Sequence, residues 1–303
     1  MTDLYTKLEE LNKEKQEILR SKEYKRGKAW VKFVDDCKHL RFGSIYKTFR
    51  DKKASITIRK KYTVHKNIAP VTYTETVTDQ RIAVYTCVVG GYDGIQVPVC
   101  EFENVDHYLF TDRPEAYEKY ADVYKIVAVP EEILAKGNIL ANRYLKFHPG
   151  EFLPEYDYTI YVDGNVRAVS DIRKLVTKCS KKTGIAMHTH RERDCIYDEA
   201  IVCKLYHRGN PADMQKQVAK YAEEQFPAHF GMNEATVIVC DNKNTTAAEL
   251  LHKWWEEFVA SGSNRDQIAW PYVLWKNGYT IEDIGNLGSD IYQNYILEMV
   301  SHR

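Results

Sequence analysis

The chain has 303 residues, 44% of them apolar, which is enough to bury the core of one large α/β domain or two small ones. Basic and acidic residues number 43 each, so the balanced charge does not predict a nucleic-acid partner. No apolar run approaches the roughly eighteen residues of a membrane span, and the charged N-terminal segment is unlike a signal peptide.

The seven cysteines are an odd number and show no C-x-x-C spacing. Cys87, Cys203 and Cys240 fall within apolar strand or helix patterns. This usage is typical of reduced thiols in the core of a cytoplasmic protein. We therefore expect a cytoplasmic location, with contact at the inner face of the membrane as an open alternative.

Residues 1–60 predict a basic, amphipathic helical extension. Leucines and an isoleucine recur at helical spacing between positions 2 and 20, and Trp30, Phe33 and Val34 begin a second stripe. From Arg20 to Lys61 there are fifteen basic and four acidic residues. The stripe is short and is interrupted at Gly43, which favours docking on the main domain over binding to an anionic membrane surface. A connecting arm is predicted over 61–80.

Alternating strands and helices from residue 81 to 303 predict an α/β domain. A continuous apolar strand over 81–89, of the buried parallel kind, runs into Gly90, Gly91, Tyr92 and Asp93. The next strand, 106–110, ends in Thr111 and Asp112. A third covers 123–129, and a single helix is predicted from Glu131 through Phe147.

The strand over 158–162 ends in Asp163, Gly164 and Asn165. Ligands of open α/β sheets bind beyond the carboxyl ends of the strands, where an acid can hold a divalent cation against a phosphate. A simple strand-ending turn is the alternative. Arg143 and Lys146, three apart on the preceding helix, are candidates for a diphosphate, although surface solvation would also explain them.

The second half of the domain repeats the pattern. A strand over 184–187 precedes His188 and His190, which are candidate metal ligands or phosphate contacts. Helices are predicted over 195–207, from Asn210, and over the aromatic stripe around Trp254, Trp255 and Phe258, which is most simply core. A further apolar helix follows the loop at 261–267 and ends at Lys276.

Several ordered blocks together resemble a glycosyltransferase-like family whose members include plant mucilage and turgor-related proteins and bacterial capsule-locus proteins. The resemblance covers about residues 81–276. It is carried by these blocks: Val84-Tyr85-Thr86, Gly90-Gly91-Tyr92-Asp93, Phe110-Thr111-Asp112, Leu153 to Tyr158, Asp163-Gly164-Asn165, His190 to Glu199, and Arg265-Asp266-Gln267. It implies an α/β, GT-A-like, Rossmann-type mixed sheet flanked by helices.

The resemblance also implies transfer of a sugar from a nucleotide-diphosphate donor, expected to be a UDP-sugar, to a glycan acceptor in cell-surface or capsular polysaccharide synthesis. A divalent cation, Mn²⁺ or Mg²⁺, would assist. The implied roles are nucleotide binding by Thr86, Tyr92, Asp112, Arg143 and Lys146; metal binding by Asp163, Asn165 and His190; donor-sugar contact by Arg265 and Gln267; and catalysis by Asp266 and Glu234.

Two other functions fit parts of the pattern. A sugar-nucleotide pyrophosphorylase would need a glycine- and lysine-rich first loop, whereas Gly90 to Asp93 contains no cation. A catalytically degenerate scaffold of a polysaccharide assembly complex would bind nucleotide or glycan without transfer. Asn165 keeps the scaffold open, because many GT-A enzymes carry a second aspartate there. Nucleotide binding without donor turnover would distinguish the scaffold from the enzyme.

Overall fold

The computed structural model describes residues 2–64, 71–73, 79–91 and 94–300. The N-terminal extension folds as three helices, α1 (Thr2–Arg20), α2 (Lys22–Lys38) and α3 (Phe42–Tyr62). The predicted amphipathic helix over 2–20 is thus confirmed. None of the described helices combines the length and apolarity needed to cross a bilayer.

The domain that follows is built on a mixed sheet. Its strands are β1 (Ile82–Val88), β2 (Val105–Thr111), β3 (Tyr124–Ala128), β4 (Tyr158–Val162), β5 (Val166–Ala168), β6 (Ile185–Thr189), β7 (Asn233–Asp241), β8 (Gly285–Asn286) and β9 (Leu297–Met299). Seven of them form one sheet in the order β3-β2-β1-β4-β7-β6-β8, and β5 pairs with β9. Neighbours from β3 to β4 are parallel, whereas β7 runs antiparallel to both β4 and β6.

Helices cover both faces of this sheet. They are α4 (Glu131–Leu134), α5 (Asn138–Phe147), α6 (Pro149–Phe152), α7 (Ile196–Leu205), α8 (Pro211–Glu223), α9 (Thr245–Ser261) and α10 (Asp266–Lys276). Short 3₁₀ turns cover Pro114–Tyr120, Ile172–Lys178, Ile281–Asp283 and Ile291–Gln293. The interior strand β1 is buried along its whole length, as its uninterrupted apolar run predicts.

Two apolar layers hold the domain together. On one face α5, α9 and α10 pack on the sheet through Phe147, Trp254 and Trp270. On the other face the 3₁₀ turn Ile172–Lys178 and the C-terminal segment contribute Leu175 and Leu297. The aromatic stripe of α9 is core, as predicted, since Trp254 and Phe258 are fully buried. The seven cysteines are all unpaired, and the three predicted core thiols are buried.

The helix predicted from Glu131 through Phe147 is broken into α4 and α5. Gly137 separates them with φ +91°, a conformation that glycine adopts without a Cβ clash. The break allows α5 to begin at Asn138, beside the turn that follows β1. The apolar periodicity on either side concealed it, so the prediction of one continuous helix is wrong.

The first N-terminal helix is firmly seated on the domain. Asn12 of α1 is buried, and its Nδ2 donates to the carbonyl oxygens of Tyr295 and Leu297 at 2.9 and 3.0 Å. By contrast, Trp30 and Val31 of α2 are 65% and 68% exposed. The prediction that the second stripe docks on the main domain is therefore wrong at Trp30.

Candidate functional site

A glycine turn follows β1 at the carboxyl edge of the sheet. Gly90 has φ +72°, and a Cβ there would collide with the side chain of Asn138 at the start of α5. The Gly90 N–H donates to Asp112 Oδ2 at 3.1 Å. Because Val88 pairs with Thr111, the turn after β1 and the turn after β2 lie side by side. Glycine is thus required both for the left-handed backbone and for the space.

Two predicted nucleotide-binding residues each carry a buried side-chain oxygen that could accept a hydrogen bond. Among the described residues, neither Thr86 Oγ1 nor Asp112 Oδ1 has a hydrogen-bond partner, although both atoms are buried. Arg113 Nε lies 3.8 Å from Asp112 Oδ1. A buried oxygen without a partner costs about 1–3 kcal/mol, so such atoms point to a ligand or ordered water. Tyr92, the third predicted contact, lies outside the described residues.

A group of charged side chains, which we call the charge cluster, adjoins this turn. It comprises Arg143 and Lys146 of α5, Asp163 after β4, and Asp266 in the first turn of α10. Arg143 Nε lies 2.8 Å and Lys146 Nζ lies 3.0 Å from Asp266 Oδ2. Asn142 joins the cluster to the turn, because its Nδ2 donates to the Cys87 carbonyl at 2.7 Å.

The cluster sits at the border between core and solvent. The side chain of Lys146 is 2% exposed and that of Arg143 25%, so Lys146 is enclosed while part of the Arg143 side chain is accessible. Burial lowers the pKa of Lys146 below its ordinary value, although Asp266 opposes this. Burial alone would raise the pKa of Asp266, but Arg143 and Lys146 outweigh it and lower that pKa. Asp266 is therefore the counter-ion of the two cations and a weak base.

Asp163 has a different environment. The Tyr161 hydroxyl donates to Asp163 Oδ1 at 2.9 Å, and Lys146 Nζ lies 4.9 Å from the centre of the Tyr161 ring. Burial raises the pKa of Asp163, and the charges of Lys146 and Arg143 only partly oppose it. The two carboxyl groups of the cluster thus have pKa values pushed in opposite directions, a pattern common where acids have separate tasks.

Glu234, the other predicted catalytic acid, lies at the start of β7. Burial raises its pKa to about 8, and neighbouring Asp290 adds to the rise. Its Oε1 accepts from the Arg191 N–H at 3.2 Å, and Arg191 Nε lies 3.6 Å from Asp290. Glu234 stands two residues before Thr236, whose carbonyl accepts the Asp163 N–H. That separation is roughly 7 Å along the strand.

His190 and the two predicted donor-sugar residues belong to a second buried network. His190 Nδ1 accepts from the N–H groups of Glu192 and Arg193 at 3.2 and 3.1 Å. Its Nε2 lies 3.8 Å from Glu199, which also contacts Arg265 Nη2 at 3.4 Å. Arg265 Nη2 donates in turn to Gln267 Oε1 at 3.0 Å. Asp266 stands between Arg265 and Gln267 in the sequence, so this network borders the charge cluster.

The predicted metal ligands do not gather at one point. Asn165 Nδ2 donates to the Val300 carbonyl at 3.1 Å, so this amide anchors the C-terminal segment. The His190 N–H donates to the carbonyl of Met232, just before β7, and the Asp163 N–H donates to that of Thr236 within β7. These two acceptors are four positions apart along the chain, or roughly 13 Å. Within 2–64, 71–73, 79–91 and 94–300, no three His, Cys, Asp or Glu side chains are grouped to hold a metal. The residues present therefore do not fit the predicted three-ligand site.

Some members of the site were not singled out from the sequence. Tyr161 could have been found, since residues two apart on a strand share a face and Asp163 follows it at that spacing. Asn138 and Asn142 could not, because their partners at Gly90 and Cys87 are about fifty residues away. Likewise, the ion pair between Arg193 and Glu199 depends on the path of the chain between β6 and α7.

Comparison with known families gives one extensive match. The model described as TOD1/MUCI70, glycosyltransferase-like domain, matches residues 67–302. No curated protein matches the chain in sequence. The predicted family is confirmed, and the mixed sheet with flanking helices confirms the predicted α/β, GT-A-like fold class.

The chain is similar to three solved glycosyltransferase structures. The apo WbbM bifunctional glycosyltransferase shares 13% identity with a TM-score of 0.45; the match covers 71% of this chain and 40% of that one. Apo mouse xyloside xylosyltransferase 1 shares 10% identity, with coverages of 75% and 96% and a TM-score of 0.42. The galactosyltransferase LgtC, bound to donor and acceptor sugar analogues, shares 13% identity, with coverages of 62% and 68% and a TM-score of 0.40.

Proposed function

Because the chain belongs to the TOD1/MUCI70 glycosyltransferase-like family, we propose that it transfers a sugar from a UDP-sugar donor to a glycan acceptor. The observation that carries the proposal is the charge cluster, which lies beside a glycine turn at the carboxyl edge of the sheet. This is the edge at which open α/β sheets bind ligands. Cell-surface or capsular polysaccharide synthesis in the cytoplasm is the proposed setting.

The glycine turn and Asp112 form the proposed nucleoside end of the site. Gly90 brings the backbone close to a ligand, and Asp112 holds the turn through one carboxylate oxygen while the other has no hydrogen-bond partner among the described residues. That second oxygen suits a donor such as the N–H of a uracil ring or a ribose hydroxyl. Thr86 is a weaker candidate, because it is deeply buried within β1.

Arg143 and Lys146 are the proposed diphosphate contacts. In the transfer, the bond between the anomeric carbon and the diphosphate oxygen breaks, an acceptor oxygen bonds to that carbon, and negative charge builds on the departing diphosphate. Fixed cations at that point stabilise the transition state because they need no reorganisation as the charge develops. Asp266 keeps both cations oriented before the donor binds.

The acceptor hydroxyl must also lose a proton. Of the two predicted catalytic acids, Asp266 is ion-paired and weakly basic, whereas the pKa of Glu234, raised to about 8, lies near neutral pH, which suits a general base. We therefore assign the base role in an inverting reaction to Glu234 and a positioning role to Asp266. Arg265 and Gln267, which flank Asp266, are the proposed donor-sugar contacts.

No step of this mechanism uses the divalent cation that the family resemblance implies. Asp163 is the predicted ligand best placed beside the two cations, while Asn165 and His190 are engaged elsewhere. Dependence on Mn²⁺ or Mg²⁺ remains a prediction, tested by UDP binding with and without either ion.

One observation also supports the scaffold alternative. The side chain of Asn165, at the position of a second acid, donates to the Val300 carbonyl. A scaffold would bind UDP without consuming a UDP-sugar.

Release of UDP from a panel of UDP-sugars tests the proposed activity. The wild-type chain is expected to release UDP from at least one donor, and Glu234→Gln to release it more slowly only when a glycan acceptor is present. Glu224→Gln is the matched control, since Glu224 bonds Lys276 and Tyr272 at the surface. UDP binding with no turnover of any donor would instead support the scaffold.

A further inference from the structure

The N-terminal helices α2 and α3 present an exposed apolar and basic surface, which we call the helical arm surface. Its apolar members in the described part of the chain are Trp30, Val31, Leu40 and Tyr46, each 65% to 72% exposed. Trp30 also contacts Phe33, with ring centroids 5.7 Å apart. Four large apolar side chains left this exposed within residues 30–46 indicate an interaction site.

The way the arm is attached leaves this surface uncovered. Helix α1 is fixed to the domain by Asn12, and α3 returns to it through Ile58, which is buried, and through Ser55, whose Oγ accepts from the Tyr206 hydroxyl at 3.3 Å. Helix α2 lies between these two attachments. Asp36 is its one buried residue among those described, and its carboxylate binds Ser44 and Arg41 within the arm.

The same surface is strongly basic. Fifteen basic and four acidic residues between Arg20 and Lys61 give a net charge of +11 in a chain whose total is zero. Lysines lie on both sides of the aromatic residues, and Lys25, Lys28, Lys32 and Lys38 of α2 are all exposed. A partner must therefore supply negative charge over a wide area together with an apolar layer.

We propose that the helical arm surface binds an anionic lipid bilayer from one side. Lysines would pair with the headgroups while Trp30 and Val31 enter the boundary between headgroups and acyl chains, as in interfacial amphipathic helices. A second copy of the chain fits less well, because two such surfaces would oppose like charges. Nucleic acid would satisfy the lysines but would leave Val31 and Leu40 without an apolar partner.

Co-sedimentation of the full chain with vesicles tests this proposal without any sugar donor, so its outcome is independent of the transferase activity. Binding to vesicles of about 30% phosphatidylglycerol in phosphatidylcholine is expected, with none to vesicles of pure phosphatidylcholine. Lys28→Gln should weaken binding about fivefold, whereas Lys216→Gln, an exposed lysine of α8, should have no effect. High salt should release the protein.

The aromatic contact has its own test. Trp30→Ser should weaken vesicle binding by about tenfold or more, while Val259→Ser, a 43% exposed position on α9, serves as the control. In the wild type, brominated lipids should quench part of the tryptophan fluorescence, and Trp30→Ser should remove that quenching, since Trp254 and Trp270 are buried and Trp255 and Trp275 partly buried. Vesicle binding unchanged by Trp30→Ser, or no quenching, would overturn the proposal. A dimer lost on Trp30→Ser would assign the surface to a second copy instead.

Discussion

Asp266→Asn is expected to destabilise the domain by about 3–5 kcal/mol, the usual cost of leaving a buried charge unpaired. The Asp266 carboxylate lies within 3.0 Å of the charged nitrogens of both Arg143 and Lys146, and Lys146 is 2% exposed. Asparagine keeps the shape and the capacity to accept the Gln267 N–H, so charge is the main property removed. The loss should therefore report on the ion pairs themselves.

Urea unfolding followed by tryptophan fluorescence measures this effect. Trp254 is a suitable reporter, since its Nε1 donates to the Asp266 carbonyl at 2.8 Å. Asp213→Asn is the control, because Asp213 pairs with Lys216, which is 80% exposed, and such pairs contribute little. Adding Lys146→Met to Asp266→Asn should cost less than the sum of the two single changes, with a coupling of about 0.5–3 kcal/mol.

The pH dependence gives a second check. The folded pKa of Asp266 lies below its ordinary value of 3.8, so the stability it contributes is present above pH 3.8 and is lost as the pH falls through the folded pKa. The gap in stability between wild type and Asp266→Asn should therefore narrow in acid. The buried ion-pair arrangement would be refuted if Asp266→Asn lowered the free energy of unfolding by less than about 1 kcal/mol at pH 7. It would also be refuted if the effects of Asp266→Asn and Lys146→Met were additive.

Three further predictions concern the rest of the site. Tyr161→Phe should raise the pKa of Asp163 further and lower the free energy of unfolding by about 1 kcal/mol, because a hydrogen bond to the charged form is lost. Carboxylate titration by NMR and urea unfolding measure these two effects. An unchanged pKa of Asp163 would contradict the prediction. Gly90→Ala should lower the free energy of unfolding by about 1–2 kcal/mol, because Gly90 has a φ of +72°, and it should also weaken UDP binding. Gly94→Ala should do neither, because there is open space around the Gly94 Cα. Because folding raises the pKa of Glu234 from 4.5 to about 8, stability should fall as the pH rises between those values, where the folded state keeps a proton that the unfolded state releases. Glu234→Gln should flatten that slope, and an unchanged slope would contradict the assignment.

The sequence predicted the elements whose signals are local. The apolar run of β1, the polar turn after β4 and the aromatic stripe of α9 each follow from residue type and spacing within a few positions. The division into α4 and α5 was missed, because Gly137 interrupts a periodicity that otherwise continues. Long apolar runs predict that an element exists better than they predict where it ends.

The site was predicted unevenly for a similar reason. The sequence indicates each member of the charge cluster individually: Arg143, Lys146, Asp163 and Asp266. Their pairing depends on how α5 and α10 meet over the sheet, which residue patterns do not specify. The metal set follows from a family pattern, whereas the backbone of His190 bonds to Met232, just before β7, and that of Asp163 bonds to Thr236 within β7. Likewise, the exposure of Trp30 depends on where α1 and α3 attach.

Calorimetric titration with UDP tests the proposed donor site most directly. Wild type and Arg143→Gln would be compared with and without Mn²⁺, with Arg208→Gln, an exposed arginine, as the control. We predict that wild type and the control bind UDP, and that Arg143→Gln binds about 10- to 100-fold more weakly, the expected loss of one charge-assisted hydrogen bond. Absence of UDP binding by the folded wild type in every condition, or equal binding by Arg143→Gln, would contradict the donor site.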